Sequence, residues 1–277
     1  MNRTRISIVI PTYNAGRIVA RCLDSIAGQS LRGIEVLVVD GGSTDDTLAI
    51  VGGYAGRFDR FRLVSEPDRG IYDAMNKGVA LANGDWIYFT GADDRLSEPD
   101  ILRKVAGHLT ADVDFLYGNV FRVARQRVEG ERFDRDKLFG QNICQQGIFY
   151  RRQMLNRVGR YNLDYRVCAD WDLNIRCFAS GCRSRYVDLT ISDYDGGGLS
   201  SHTTDHAFHE RKLGEIARLY KASYWSAVFR SRRYDFFERA MLRLDKRRMV
   251  AAFYYFGLYC YHGVFARFAG RSQAPSG

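Results

Sequence analysis

The stretch Asp85-Trp86-Ile87-Tyr88-Phe89-Thr90-Gly91-Ala92-Asp93-Asp94 decides the fold class of this chain. Trp86 to Phe89 is a short apolar, aromatic run with the character of a buried strand, and it leads into two adjacent carboxylates. In open α/β sheets ligands bind at the carboxyl edge of the strands, where Asp93 and Asp94 would stand. Two neighbouring carboxylates repel, so a cation beside them is expected. A hard ion such as Mg²⁺ or Mn²⁺ takes one or two carboxylates and fills its other positions with water and phosphate oxygens. A metal site for a diphosphate is one reading of the pair. An acidic turn capping the next helix is the other.

The flanking sequence repeats the pattern. Arg5 to Pro11 is an apolar strand stopped by its proline, and a helical pattern follows from about Ala15 to Ala27. A second strand, Ile34 to Val39, ends in Asp40-Gly41-Gly42-Ser43-Thr44-Asp45-Asp46, where Ser43 or Thr44 can cap a helix. A third, Phe61 to Val64, leads to Glu66-Pro67-Asp68-Arg69-Gly70, and another helix carries Ala74 to Leu81. Strand and helix alternate with short connections, which predicts a parallel sheet covered by helices. The acidic, Gly-rich turns all follow strands and so gather along one edge. Pro11-Thr12-Tyr13-Asn14 replaces the Gly-x-Gly-x-x-Gly turn of a dinucleotide-binding dehydrogenase, which disfavours that class.

The runs Ile8-Val9-Ile10-Pro11-Thr12-Tyr13-Asn14, Val38-Val39-Asp40-Gly41-Gly42-Ser43-Thr44-Asp45 and Asp93-Asp94 together resemble the family 2 inverting glycosyltransferases of GT-A fold. Ser65 to Gly78 resembles a subgroup, of the colanic-acid type, that builds bacterial exopolysaccharides and other surface glycans. The resemblance covers about residues 5–205. It implies an α/β fold with a Rossmann-like, mostly parallel sheet flanked by helices. It also implies a nucleotide site drawn from Pro11, Thr12, Tyr13, Asn14, Asp40, Asp68, Arg69 and Asp93. Thr12 and Tyr13 would line the base pocket, and Asp40 would accept a hydrogen bond from a uracil-type ring N–H. Asp68 and Arg69 would lie beside base and ribose. Asp93 would face the ribose or the diphosphate, and Asp94 would hold Mn²⁺ or Mg²⁺. The family's usual acid two places before Asp93 is Gly91 in this chain, so the ribose contact would be weaker or supplied elsewhere.

Cys168-Ala169-Asp170-Trp171-Asp172-Leu173 opens a helical pattern running to about Ala179. The family places a catalytic acid at such a helix start, often Glu-Asp before an aromatic residue. Ala169 replaces the first acid and Asp170 matches the second. A sugar hydroxyl is a poor nucleophile, and a carboxylate within hydrogen-bond reach can take its proton as the C–O bond forms. Asp170 is therefore the candidate base, while Asp172 points away on a helix. Trp171 joins Gln145 and Gln146 as candidate sugar or acceptor contacts. The two glutamines lie in a segment, Asn142 to Phe149, that often reads Cys-His-Gln in the subgroup; a plain loop is the alternative. Many GT-A enzymes use a histidine beyond the catalytic acid as a second metal ligand. His202, after the run Asp195-Gly196-Gly197-Gly198, is the candidate, with His206 and His209 as alternatives. A zinc cluster of the three lacks a supporting Cys or Glu pattern.

The 277 residues suffice for one large α/β domain, expected at 1–215, with an appendage at 216–277. Six cysteines show no C-x-x-C spacing and read as reduced thiols of a cytoplasmic protein. The polar start Met1 to Thr4 runs straight into the first strand, with no signal peptide expected. Charge is uneven: residues 1–210 carry 27 Lys and Arg against 28 acids, and residues 211–277 carry 14 against 4. That basic tail is aromatic, with Tyr220, Tyr224, Trp225, Phe229, Tyr234, Phe236 and Phe237 among its arginines and an apolar stretch from Met249 to Ala266. Such a segment suits an anionic membrane surface, placing the protein peripherally on the inner face of a bacterial plasma membrane. A helical hairpin packed on the fold, or a homodimer interface, is the alternative. Nucleic acid is not expected, since no recognition motif accompanies the charge. The combined expectation is metal-dependent, inverting transfer from a nucleotide-sugar donor, UDP-linked by preference, to a polyprenyl-diphosphate-linked glycan. A polyprenyl-phosphate sugar transferase and a non-catalytic sugar-nucleotide-binding scaffold are the rivals.

Overall fold

A computed structural model describes residues 6–194 and 205–219. The chain opens with β1 (Ile6–Thr12), α1 (Val19–Ala27), β2 (Glu35–Asp40), α2 (Thr47–Gly52), β3 (Arg60–Ser65), α3 (Ile71–Leu81) and β4 (Trp86–Phe89). These four strands pair in parallel in the order β3-β2-β1-β4. Register puts Thr12, Asp40 and Ser65 side by side, so the turns after β1, β2 and β3 leave the sheet at one level.

The rest of the described chain is β5 (Arg95–Leu96), α4 (Ile101–Ala106), β6 (Phe115–Arg122), β7 (Arg127–Glu129), α5 (Arg135–Gly140), β8 (Ile148–Arg151), α6 (Arg152–Val158), α7 (Ala169–Ala179), β9 (Ser184–Tyr194) and α8 (His206–Leu219). The sheet continues from β4 as β8-β6-β9-β5, with β7 paired to β6. Strand β8 runs antiparallel to both β4 and β6, β7 to β6 and β5 to β9, while β6 and β9 are parallel. The expected parallel order therefore holds for β1–β4, and the second half is mixed.

Strands β1, β2 and β4 are buried along their whole length because both faces are covered, while β3, at the sheet edge, mixes exposed and half-buried residues. Ile6, Ile8, Ile10, Val36, Val38, Trp86 and Tyr88 pack into one core with Val19, Cys22, Leu23 and Ile26 of α1. Val9, Leu37, Val39, Ile87 and Phe89 face the other core with Met75 and Val79 of α3 and Leu173 of α7. The alternation is the period of two expected of a pleated strand. Gly78 sits against the Val9 side chain, where a Cβ would collide, so α3 lies close over β1. Phe208 and Ile216 bury α8 in the same core as α7. Helix α8 runs through residue 215; residues 220–277, which hold the rest of the expected appendage, lie outside the described residues. No helix among the described residues is long and apolar enough to cross a membrane.

Candidate active site

The turns after β1 and β2 are laced together. The Asn14 amide donates to Ser43 Oγ at 2.8 Å, and Asn14 Oδ1 accepts from the Thr44 amide at 2.9 Å. The Ala15 amide donates to Thr47 Oγ1 at 2.7 Å. Asn14 adopts a left-handed φ of 48°, a conformation asparagine tolerates better than most residues. Asp40 stands at the centre. Its Oδ2 accepts from the amides of Gly42 (3.0 Å) and Ser43 (2.9 Å) and from Ser65 Oγ (2.7 Å). Its Oδ1 accepts from Ser43 Oγ and from Thr12 Oγ1 (3.3 Å). Burial pushes this carboxyl up, but the donors outweigh it and hold it below the usual carboxylate range. A carboxylate offers about four lone-pair positions. Asp40, expected to receive a base N–H, is 0 % exposed and has both oxygens occupied by its own loop. Tyr13 beside it is 65 % exposed. Asp68 approaches the backbone of Gly41, where a Cβ would lie 2.6 Å from its Oδ2, and accepts from the Gly70 amide at 2.8 Å. Arg69 is exposed on that turn, which Asp73 closes by accepting the Arg69 amide at 3.1 Å.

Beyond β4, Asp93 and Asp94 converge on Gly91. A Cβ there would sit 2.5 Å from Asp93 Oδ1 and 2.9 Å from Asp94 Oδ2. The missing acid at position 91 is thus not an empty place: the two later carboxylates close over it. Asp94 is 1 % exposed, and its Oδ2 accepts from the Gly91 amide (3.1 Å) and from Gln146 Nε2 (3.0 Å). Asp93 carries its backbone carbonyl to Arg21 Nη2 at 2.6 Å. Two convergent carboxylate oxygens fit an ion of the Mg²⁺ or Mn²⁺ kind, which needs only one or two protein carboxylates when phosphate oxygens supply others. Among the described residues no set of three His, Cys, Asp or Glu side chains gathers to hold a metal. His202 lies outside the described residues. His206 and His209 belong to α8, where the His209 ring packs edge-on to Trp171 at 6.4 Å.

A cleft of about 690 Å³ opens from Asp93 toward α7 and the β6–β7 hairpin. Asp170, in the first turn of α7, lines it. Tyr72 of α3 donates its hydroxyl to Asp170 Oδ1 at 3.0 Å, and Asn142 Nδ2 donates to Oδ2 at 2.8 Å. Both are held from behind. Asn174 Nδ2 donates to Asn142 Oδ1 (2.9 Å), the Tyr150 hydroxyl donates to Asn174 Oδ1 (2.8 Å), and Tyr72 stacks on Tyr161 with ring centroids 5.2 Å apart. Burial pushes Asp170 up to about 6; donation from Tyr72, the Trp171 amide and Asn142 only partly offsets it. The site thus offers a fixed carboxylate that is anionic at neutral pH yet basic for its kind.

The remaining expected contacts divide. Gln145 lines the cleft, 8 % exposed, with Oε1 accepting from the Tyr161 hydroxyl at 3.3 Å and its Nε2 without a hydrogen-bond partner among the described residues. Gln146 also lines the cleft, and its Nε2 donates to Asp94 Oδ2. Its backbone oxygen accepts from Tyr88 (2.9 Å) and Ser192 (3.0 Å), which ties β4 to β9. Trp171 reaches the cleft wall, but its indole N–H donates to Leu138 O at 2.7 Å and Lys212 Nζ covers its ring at 4.1 Å. It fastens α7 to α5 and α8. Sequence reading missed Tyr72 and Asn142, as well as Arg122, Arg125 and Arg127 on the hairpin wall. Tyr72 and Asn142 are 98 and 28 residues from Asp170, and no local pattern announces such pairs.

Residues 7–170 match the family model described as glycosyl transferase family 2. A PGL/p-HBAD biosynthesis glycosyltransferase of Mycobacterium bovis is 45% identical over 211 residues, which are 74% of this chain and 82% of that protein. Among solved structures, S. aureus TarS 1-349 in complex with UDP-GlcNAc aligns over 83% of this chain and 71% of its own, with a TM-score of 0.66 and 19% identity. The mannosyltransferase PcManGT of Pyrobaculum calidifontis, in complex with GDP-Man and Mn²⁺, aligns over 100% of this chain and 77% of its own, with a TM-score of 0.60 and 19% identity. With its strand order, its acidic strand ends and these matches, the chain belongs to glycosyl transferase family 2 and is a glycosyltransferase.

Proposed function

We propose that this enzyme transfers a sugar from a nucleoside-diphosphate donor, UDP-linked by preference, to an acceptor hydroxyl with inversion at the anomeric carbon. The observation that carries the reading is Asp170, held by Tyr72 and Asn142 in the same cleft as Asp93. Its unprotonated oxygen takes the hydroxyl proton as the new bond forms on the face opposite the leaving diphosphate. Pro11, Thr12, Tyr13 and Asn14 bind the nucleotide together with Asp68 and Arg69. Exposed Tyr13 offers a stacking face to the base. Asp40 acts by holding this loop in shape. Asp93 and Asp94 would hold Mn²⁺ or Mg²⁺, with His202 as a further ligand, and the ion would supply charge stabilisation for the departing diphosphate. Gln146 orients Asp94, and Gln145 offers its Nε2 hydrogens to a sugar oxygen. The neighbours solved with UDP-GlcNAc and with GDP-Man and Mn²⁺ support the donor class and the ion.

The acceptor in this reading is a lipid-linked glycan of surface-polysaccharide assembly, met at the membrane by the basic aromatic tail, with residues 1–215 as the catalytic unit. The rival in which a lipid phosphate is the nucleophile needs no base, and the raised, oriented Asp170 favours a hydroxyl. Purified enzyme, incubated with a panel of nucleotide sugars, Mn²⁺ and bacterial lipid extract, should release UDP from a UDP-sugar, and NMR of the product should show an inverted anomeric centre. Retention of configuration, or no release from any donor, overturns the proposal.

A further inference from the structure

The hairpin wall of the cleft gathers more positive charge than its own structure uses. Arg122 Nε donates to Glu129 Oε2 at 2.7 Å, while Arg125 Nη1 and Arg127 Nε donate to Glu129 Oε1 at 3.1 and 2.9 Å. Three guanidiniums therefore share one carboxylate. Glu131, the other acid on this wall, is taken by Lys137. Arg166, which also lines the cleft, makes no ion pair with a described residue. The carboxylates Asp93 and Asp170 line the same cleft from the turn after β4 and the first turn of α7, while arginines outnumber acids on the hairpin.

A strut for the four-residue turn Val123–Gln126 needs one arginine on Glu129, since each added guanidinium repels its neighbours. The arginines are also left with donors to offer. Each guanidinium has five N–H groups, and the side chains of Arg125 and Arg127 are 60% and 62% exposed while lining the cleft. Arg122 is braced over the Tyr194 ring at 4.7 Å. Val128, between the arginines and Glu129, is 53 % exposed and lines the same wall. Forked guanidiniums in a concave wall match the paired oxygens of a phosphate or carboxylate. The donor's own diphosphate is the weaker match. In the proposed reading the diphosphate lies by Asp93 and Asp94 after β4, and β6 is separated from β4 by β8, two strand spacings or roughly 10 Å.

We propose that the β6–β7 hairpin is an anion-binding anchor for the acceptor, taking a phosphate or carboxylate that the acceptor carries beside its reacting hydroxyl. The inference rests on the glycosyl-transfer reading of the cleft and specifies its acceptor class. The test uses the full-length protein and calorimetry, with glucose 1-phosphate, glucuronate and methyl glucoside as probes, each with and without saturating UDP. An anionic probe should bind in the presence of UDP at least tenfold more tightly than methyl glucoside. The double variant Arg125→Gln/Arg127→Gln should lose at least tenfold of that affinity and keep its affinity for UDP. The tighter of the two anionic probes identifies the group. Absence of binding by both anions, displacement by UDP, equal binding of methyl glucoside, or unchanged affinity in the double variant each overturns the anchor. If the double variant also loses UDP, the single variants are read instead, each expected to lose about threefold for the anion; no loss in either overturns the proposal. Failure of the transfer reading shows separately, as native protein that binds no nucleotide.

Discussion

The two halves of the sheet treat their carboxylates in opposite ways. In the parallel half, Asp40 is fully buried and surrounded by donors from its own loop, which hold it anionic against the effect of burial. In the mixed half, Asp170 keeps two side-chain donors, burial dominates, and its carboxyl rises to about 6. The difference follows from where the donors come from. Asp40 sits at a strand end with two amides and three hydroxyls nearby, whereas Asp170 enters a cleft lined by rings. A saturated carboxylate makes a rigid frame for a ligand. An under-served one makes a base.

The largest expected effect breaks the basic side of this contrast. Asp170→Asn keeps size and one hydrogen-bond acceptor while removing basicity, so turnover should fall by about 10²–10⁴-fold with donor affinity intact. The same variant should melt no lower than the wild type, because it removes a charge whose burial is unfavourable. A matching loss of donor affinity in calorimetry would place Asp170 in the donor site. Next comes Asp94→Ala, expected to remove the metal dependence of UDP binding and at least tenfold of affinity. Unchanged affinity in Mn²⁺ would take Asp94 out of the site.

Asp40→Ala tests the saturated side. It strands buried donors from Gly42, Ser43 and Ser65, and the cost should be about 2–4 kcal/mol, seen as a melting temperature lower by roughly 5–15 °C. A thermal shift near zero would show that the loop does not depend on its carboxylate. The two acids should also separate by pH. Asp170, raised in the folded state, binds its proton more tightly there, so its contribution to stability is present at low pH and is lost as pH rises from about 4 through 6. Asp40, lowered when folded, contributes stability above its unfolded value and loses it as pH falls below about 4. Turnover should follow Asp170, dropping about tenfold per pH unit below 6. An acid limb near pH 4 would show that a different group is titrating. The smallest effect is expected from Gly91→Asp. Restoring the family's acid would crowd Asp93 and Asp94 and add a third negative charge, so donor affinity should fall a few-fold in calorimetry. A gain would show that the place over Gly91 is open in the working enzyme.

The parallel half was legible because β1, β2 and β4 are apolar runs, helices alternate with the strands, and the turns after β2, β3 and β4 carry acids. Asp94 and Asp170 were reachable through motif position; Asp170 lines the cleft, and Asp94 is buried against Gln146, which also lines the cleft. The mixed half was not legible. Strand direction in β8 and β9 is set by pairing across long separations, which an apolar run does not encode. The same limit hid Tyr72 and Asn142. Arg122, Arg125 and Arg127 drew no reading from the sequence, because only the β6–β7 pairing brings Glu129 back among them. Trp171, expected as a sugar or acceptor contact, does line the cleft, but the sequence did not show that its indole and ring also fasten α7 to α5 and α8.

The short turn Gln145–Gly147 joins the two halves in a way that bears on redesign. Gln145 accepts from Tyr161 of the aromatic group behind Asp170 and Gln146 donates to Asp94, so adjacent residues connect the acid proposed for the donor and the ring cluster behind the proposed base. Gly147 admits no side chain, because a Cβ would meet Gly118 O at 2.8 Å. In the proposed reading, the separation between donor and acceptor is therefore gauged by a single peptide link. Attempts to alter which acceptor is used should leave residues 144–147 untouched and vary the hairpin, where chain length and charge can drift without resetting that gauge.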